Sequence, residues 1–131
     1  MLKIYVDAAT KGNPGPSGIG IVLIGDHNLY EQHAIPISDR GNHEAEFRAV
    51  EWALEYVLNR QWENQTIFMF TDSKVVSQVI ERGHTKNQHF APYLQRINHM
   101  IDHCHLFILQ WIPEKQNKGA DNLARQALNK K

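Results

Sequence analysis

The sequence has one cysteine, Cys104, among 131 residues, which excludes an internal disulfide framework and suits a reducing compartment. It has no excess of either charge. Lys plus Arg and Asp plus Glu number 14 each, so no overall basic field announces a nucleic-acid partner. No apolar run approaches the roughly 20 residues of a membrane span. The first residues, MLKIYVDAATKGNPGPSG, lack the apolar segment and small-residue cleavage site of a signal peptide. Five prolines and eight glycines are too few for collagen-like or low-complexity chains. What remains, 42% hydrophobic and 21% charged, is ordinary globular composition. The expectation is one domain over residues 1–131, cytoplasmic, with no membrane partner and a monomer as the default.

Residues 2–8 alternate, with Leu2, Ile4 and Val6 on one side and Lys3, Tyr5 and Asp7 on the other, which predicts a strand. The run Lys11 to Pro16 is dense in turn residues and predicts a loop. Gly20–Ile24 and Leu29–Ile37 read as two further strands of an antiparallel meander, joined near Gly25-Asp26-His27-Asn28. Over 43–60 the period becomes helical, carried by Val50, Ala53, Leu54, Val57 and Leu58. Thr66–Thr71 is a short apolar run, read as a buried strand. A helix follows from Asp72 to Glu81, stopped at Gly83, then another from Pro92 to Asp102. His105–Ile112 gives a fifth strand and Asn117–Leu128 a last helix. The order implies an α/β fold with a five-stranded mixed sheet, three antiparallel strands and then two parallel ones, flanked by helices.

The functional signal is where four acids fall. Asp7 ends the polar face of the first strand, and Asp72 sits where the fourth strand meets its helix. Asp121 lies early in the last helix, in line with Ala124 and Leu128. Each has an ordinary explanation: a turn residue, a helix N-cap and a complement to the helix dipole. Glu46 fits such explanations least. It lies four residues before Val50 and seven before Ala53, on the core-facing stripe, where a carboxylate is costly unless neutralised. If the four converge, they cannot all stay ionised without cations, and an all-oxygen set suits Mg²⁺ or Mn²⁺ better than zinc. Two such ions about 4 Å apart can drive phosphodiester hydrolysis. Periodicity leaves the convergence itself open.

The segments DAATKGNPGPSGIG at 7–20, NHEAEF at 42–47, FTDSKVV at 70–76 and IPEKQNKGADNLA at 112–124 resemble type 1 ribonuclease H almost from end to end. That resemblance implies a ribonuclease H-like fold and an endonuclease acting on the RNA strand of RNA/DNA hybrids. Two divalent ions, Mg²⁺ or Mn²⁺, would serve the reaction, leaving 3′-hydroxyl and 5′-phosphate ends. It implies Asp7, Glu46, Asp72 and Asp121 as catalytic metal ligands, Asp7 bridging the ions and Asp72 holding the one that activates water. Glu46 would also accept a hydrogen bond from a ribose 2′-hydroxyl. Gly12, Asn13, Pro14 and Gly15 would bring backbone groups to the RNA strand, and Asn42 would sense the minor groove.

The chain departs from the family pattern at three places. Gly41-Asn42-His43 stands where Thr-Asn-Asn is common, which removes a hydroxyl from a phosphate pocket for the DNA strand; Arg40 is a candidate replacement. Glu81 to Pro92 holds only Arg82 and Lys86 as fixed cations, so the basic protrusion of many members is absent or reduced. No histidine lies between Trp111 and Asp121, leaving Lys115 or Lys118 as an electrostatic substitute. Setting the four acids aside leaves ten acidic residues against 14 basic ones, so a locally positive surface remains available.

Other motifs yield less. His99, His103, Cys104 and His105 span a helix-to-strand change and have no second ligand pair, against a zinc site. The glycine-rich loop lacks the Gly-Lys-Ser/Thr ending of a P-loop, and Trp52, Trp111 and Cys104 read as packing residues. The rival functions are a weakly active or non-catalytic nucleic-acid-binding module and a different metal-dependent nuclease on the same fold.

Overall fold

The structure, a computed structural model, describes residues 1–130. Three strands come first: β1 (Leu2–Thr10), β2 (Gly15–Ile24) and β3 (Tyr30–Arg40). Then follow α1 (Asn42–Asn59), β4 (Thr66–Thr71), α2 (Lys74–Arg82), α3 (Ala91–Ile101), β5 (Leu106–Trp111), a 3₁₀ turn at Glu114–Gln116 and α4 (Lys118–Leu128). The strand order is β3-β2-β1-β4-β5, antiparallel from β3 to β1 and parallel from β1 to β5. This is the five-stranded mixed sheet expected from the sequence. Among the described residues, no helix is long and apolar enough to cross a membrane.

The core forms where the apolar side of the sheet meets α1. Leu2, Ile4, Val6, Ile19, Ile21 and Leu23 are essentially inaccessible to solvent, as are Ala49, Val50, Ala53, Leu54 and Val57 of α1. α3 adds Leu94 and Ile97 to the same cluster. The opposite face carries α4, and two glycines let it come close. A Cβ on Gly20 would stand 2.1 Å from the Ala120 carbonyl oxygen, and one on Gly18 would meet the Leu128 nitrogen at 2.6 Å. Neither position tolerates a side chain without displacing α4. Gly20 is the register partner of Asp7, so Asp7 projects from the face that α4 covers.

Several boundaries differ from the sequence reading. β2 begins at Gly15 rather than Gly20 and β3 runs on to Arg40, because the Lys11–Pro16 turn is tight enough to pair Thr10 with Ser17. In β4 only alternate residues, Ile67, Met69 and Thr71, are fully buried. Phe68 and Phe70 are half-covered and stack on each other, and Phe70 stacks on Tyr5 across the strands. The cap of α2 is Ser73, not Asp72: the Ser73 hydroxyl accepts from the Val76 amide, which leaves the Asp72 carboxylate free of that duty. Trp111 is not core. It is 37% exposed, donates its indole N–H to the Asp72 carbonyl and lies under the Lys74 ammonium. Residues 83–90 join α2 directly to α3, opened by Gly83 in the left-handed region, and hold Lys86 as their fixed cation.

Candidate metal centre

Three of the four acids meet where the β1–β4 ladder ends. The last β1–β4 pair is Tyr5 with Phe70, and both chains run on, carrying Asp7 on β1 and Asp72 just after β4. Ligand sites of parallel sheets form at these carboxyl ends. Glu46 comes from the second turn of α1, where its apolar stripe runs out, and its side chain is 22% exposed. One carboxylate oxygen from each of Asp7, Glu46 and Asp72 lies within 4.8 Å of the others. Asp121, in the first turn of α4, stands outside that tight group but close enough for its charge to act on Asp7.

Neighbouring side chains hold two of these carboxylates. Glu46 Oε1 accepts from Ser73 Oγ at 3.2 Å and faces His43 Nδ1 at 3.0 Å. Asp72 Oδ2 accepts from Asn117 Nδ2 at 3.1 Å. Among the described residues, no Lys or Arg forms an ion pair with Asp7, Glu46 or Asp72; Arg125 pairs with Asp121 at 3.1 Å. The cost of this shows in the acidities. Burial, then the charges of Asp72 and Asp121, push Asp7 up to about 8 from the usual 3.8. Burial also raises Glu46, with His43 and Ser73 opposing it. Asp72 is raised by burial and by the charges of Glu114 and Asp121, while the Asn117 amide pulls it back.

An all-oxygen donor set that costs energy to ionise fits a hard divalent cation. Asp7, Glu46 and Asp72 are the residues placed to hold one, and Asp121 stands beside them.

The expected substrate-contact residues are spread around this centre. Asn13, in the β1–β2 turn, uses its side-chain oxygen to accept from the Asn42 amide at 2.9 Å. It thereby caps α1, whose own N-cap Gly41 has no side chain to do so. Gly12 (φ 81°) and Gly15 are both required by the turn, since a Cβ on Gly15 would fall 1.6 Å from the Lys11 carbonyl oxygen. Pro14 and Asn42 are exposed. Arg40 lies over the Tyr93 ring at 5.7 Å, with its Nε buried and without a partner. Lys115 is exposed on the 3₁₀ turn next to Glu114, and the turn leads into α4. In the His99–His105 segment, His103 Nδ1 is tied to the His99 carbonyl at 2.9 Å and the Cys104 thiol turns toward the Met100 carbonyl.

Sequence reasoning missed two residues of the site. Ser73 was hidden by the expectation that Asp72 caps α2. Asn117 was read as the start of a helix; its position four residues before Asp121 was the available signal.

A sheet of this order with an acid cluster at its parallel carboxyl ends defines a ribonuclease H-like protein. The chain belongs to the reverse transcriptase-like family, whose model matches residues 5–127. It is 46% identical over 130 residues to an Enterococcus faecalis protein named "Putative hydrolase EbsB", covering 99% of this chain and 96% of that one. Ribonuclease HI of Halobacterium salinarum is 28% identical over 127 residues, spanning 95% of this chain but 63% of that protein. The crystal structure of RNase H1 from the same archaeon aligns with a TM-score of 0.88 at 25% identity, over 98% of this chain and 97% of that one. LC11-RNase H1, solved in complex with an RNA/DNA hybrid, has the same fold at a TM-score of 0.88 and 24% identity, covering 98% and 97%.

Proposed function

We propose that this chain is a divalent-metal-dependent endoribonuclease that hydrolyses the RNA strand of RNA/DNA hybrids, leaving 3′-hydroxyl and 5′-phosphate ends. The observation that carries the reading is the clustering of Asp7, Glu46 and Asp72 oxygens within 4.8 Å of one another. Ribonuclease H relatives, and the hybrid-bound state of LC11-RNase H1, support the choice of substrate.

The chemistry that two bound Mg²⁺ or Mn²⁺ ions supply is activation of a water and stabilisation of the leaving oxygen. The protein's part is to present the oxygens. Asp7, on the central strand β1, would be the ligand that both ions share. Asp72 and Glu46 would hold the ions on either side, and Asp121 would complete the set. Glu46 has Oε1 occupied by Ser73 and His43, so its second oxygen is the one open to a ribose 2′-hydroxyl. Gly12 to Gly15 and Asn42, locked together by the Asn13 bond, form one rigid edge along which the hybrid lies, with Arg40 and Lys115 as phosphate contacts.

The test is an end-labelled RNA/DNA hybrid incubated with Mg²⁺, Mn²⁺ or chelator, comparing the parent with Asp72→Asn. Metal-dependent cutting of RNA alone, lost in the variant, is the expected result. A folded parent that cuts nothing in either metal would leave a nucleic-acid-binding module in its place. Cutting of duplex or branched DNA instead would identify another nuclease on the same fold.

A further inference from the structure

Asn117 is 1% exposed, although it lies at the surface end of a loop and carries an amide. Its Nδ2 donates to two acceptors at once: the Val6 carbonyl at 2.8 Å and Asp72 Oδ2 at 3.1 Å. Val6 is the residue before Asp7, so one amide joins the backbone of β1, the carboxylate after β4 and the start of α4. These partners lie 111 and 45 residues away in sequence. Both partners accept only, which settles the orientation of the amide: reversing it would set oxygen against two oxygens. The Asn117 backbone adds a further tie, since its carbonyl accepts from the Asp121 amide at 3.0 Å. Its Oδ1 is buried and has no partner in the protein.

We propose that Asn117 is a positioning residue of the metal centre: Nδ2, held on the Val6 carbonyl, fixes the Asp72 carboxylate relative to Asp7. The inference rests on the metal-dependent nuclease reading above and deepens it. The geometry favours this role over simple packing. An apolar residue of the same size would fill the space, but it would leave the Val6 carbonyl unpaired and free the Asp72 carboxylate to rotate. The group acts on the Asp72 ligand, not on the substrate.

The measurement is divalent-ion affinity by calorimetry, with Mn²⁺ and then Mg²⁺, on the parent, Asn117→Ala, Asn117→Ser and Asn117→Asp. This readout needs no substrate, so it stands even if the parent cuts no hybrid; that second result would sink the nuclease reading alone. Loss of an orienting partner outside the ligand set typically weakens a metal site by about 10- to 100-fold, and Asn117→Ala and Asn117→Ser are expected in that range. In Asn117→Asp an oxygen faces the Val6 carbonyl and Asp72, and its affinity should fall as well despite the added charge. In an Asp72→Asn background, Asn117→Ala should have a much smaller effect, because Nδ2 works through Asp72. On the hybrid at saturating substrate, the ion concentration giving half the maximal rate should rise in parallel, with little change in KM. Folded variants that bind Mn²⁺ and Mg²⁺ as tightly as the parent would overturn the proposal. So would equal losses in the parent and Asp72→Asn backgrounds. Serine and alanine are both used so that a fold defect in one does not decide the matter.

Discussion

Two glutamates five residues apart on α1 meet burial in opposite ways. Glu51 is 3% exposed, and the chain supplies its counter-charges: Arg48 Nη1 at 2.9 Å and the Nε of Arg96 from α3. Glu46 lies a turn earlier and is held by a serine hydroxyl and an imidazole, with Asp7 and Asp72 as its neighbours. The first site is closed electrostatically and serves the α1–α3 contact. The second has no guanidinium or ammonium of its own, on a fold that elsewhere provides a guanidinium for a buried acid. Carboxylates gathered in a partly buried cluster without a guanidinium or ammonium mark a place where the cation comes from solution.

The widest separation between the two sites should appear in catalysis. Asp72→Asn is expected to lower the rate of hybrid cutting on the order of a thousandfold, the scale of losing a principal transition-state contact. Glu51→Gln should cut at close to the parental rate. Its effect belongs in stability, a loss of about 1–2 kcal/mol in urea, moderated because Arg96 is half in solvent and Arg48 keeps Glu55. Equal activity losses in the two variants would erase the distinction.

Ion binding gives the next contrast. Mg²⁺ or Mn²⁺ at a hundredfold excess over its dissociation constant should stabilise the parent by about 2.7 kcal/mol, read as a rise in melting temperature. Glu51→Gln should show the same rise from its lower starting point. Asp7→Asn should show little of it, while its metal-free form melts above the metal-free parent because one member of a repelling group has become neutral.

The pH dependence of the metal-free protein follows with a definite sign. The folded chain holds a proton on Asp7 up to about pH 8, whereas the unfolded chain loses it near the usual 3.8. Between those values the folded state binds more protons, so stability falls as pH rises through the window. Glu46 and Asp72, raised as well, act in the same direction. Melting in chelator should therefore start higher at pH 5 than at pH 8, and Asp7→Asn should flatten the slope. A rise in stability over that range would mean the acids are already neutralised within the fold, as Glu51 is.

How far the site was legible follows the same division. Alternation in β1 and helical spacing in α1 were enough to place Asp7 and Glu46, because both rest on one element's periodicity. The change from hairpin-length to helix-length connections was enough for a mixed sheet of three antiparallel strands and two parallel ones; that β4 pairs with β1 came from the structure. The Ser73 cap and the Asn117 amide were not legible: each acts across a junction between elements, where one residue's shift in the helix start exchanges the roles of neighbours. Trp111 was misjudged because an indole at the end of an edge strand has core on one side only. The approach of α4 to Gly18 and Gly20 is likewise a property of packing between distant segments, and no local pattern announces it.

The smallest expected effect probes the neutral donors themselves. Ser73 makes two bonds, accepting from Val76 to start α2 and donating to Glu46. Ser73→Ala removes both and should cost about 1 kcal/mol, mostly through the lost cap. Ser73→Thr preserves the hydroxyl and should recover most of it. The two functions separate once ion is added. If Ser73 only caps α2, the alanine variant stays below the parent by the same margin with and without Mg²⁺. If its hydroxyl also restrains Glu46, the margin widens in Mg²⁺, because a freer carboxylate binds the ion less well. For Glu51, whose donors are charged and whose site takes no ion, removing Arg96 should leave a margin that Mg²⁺ does not change.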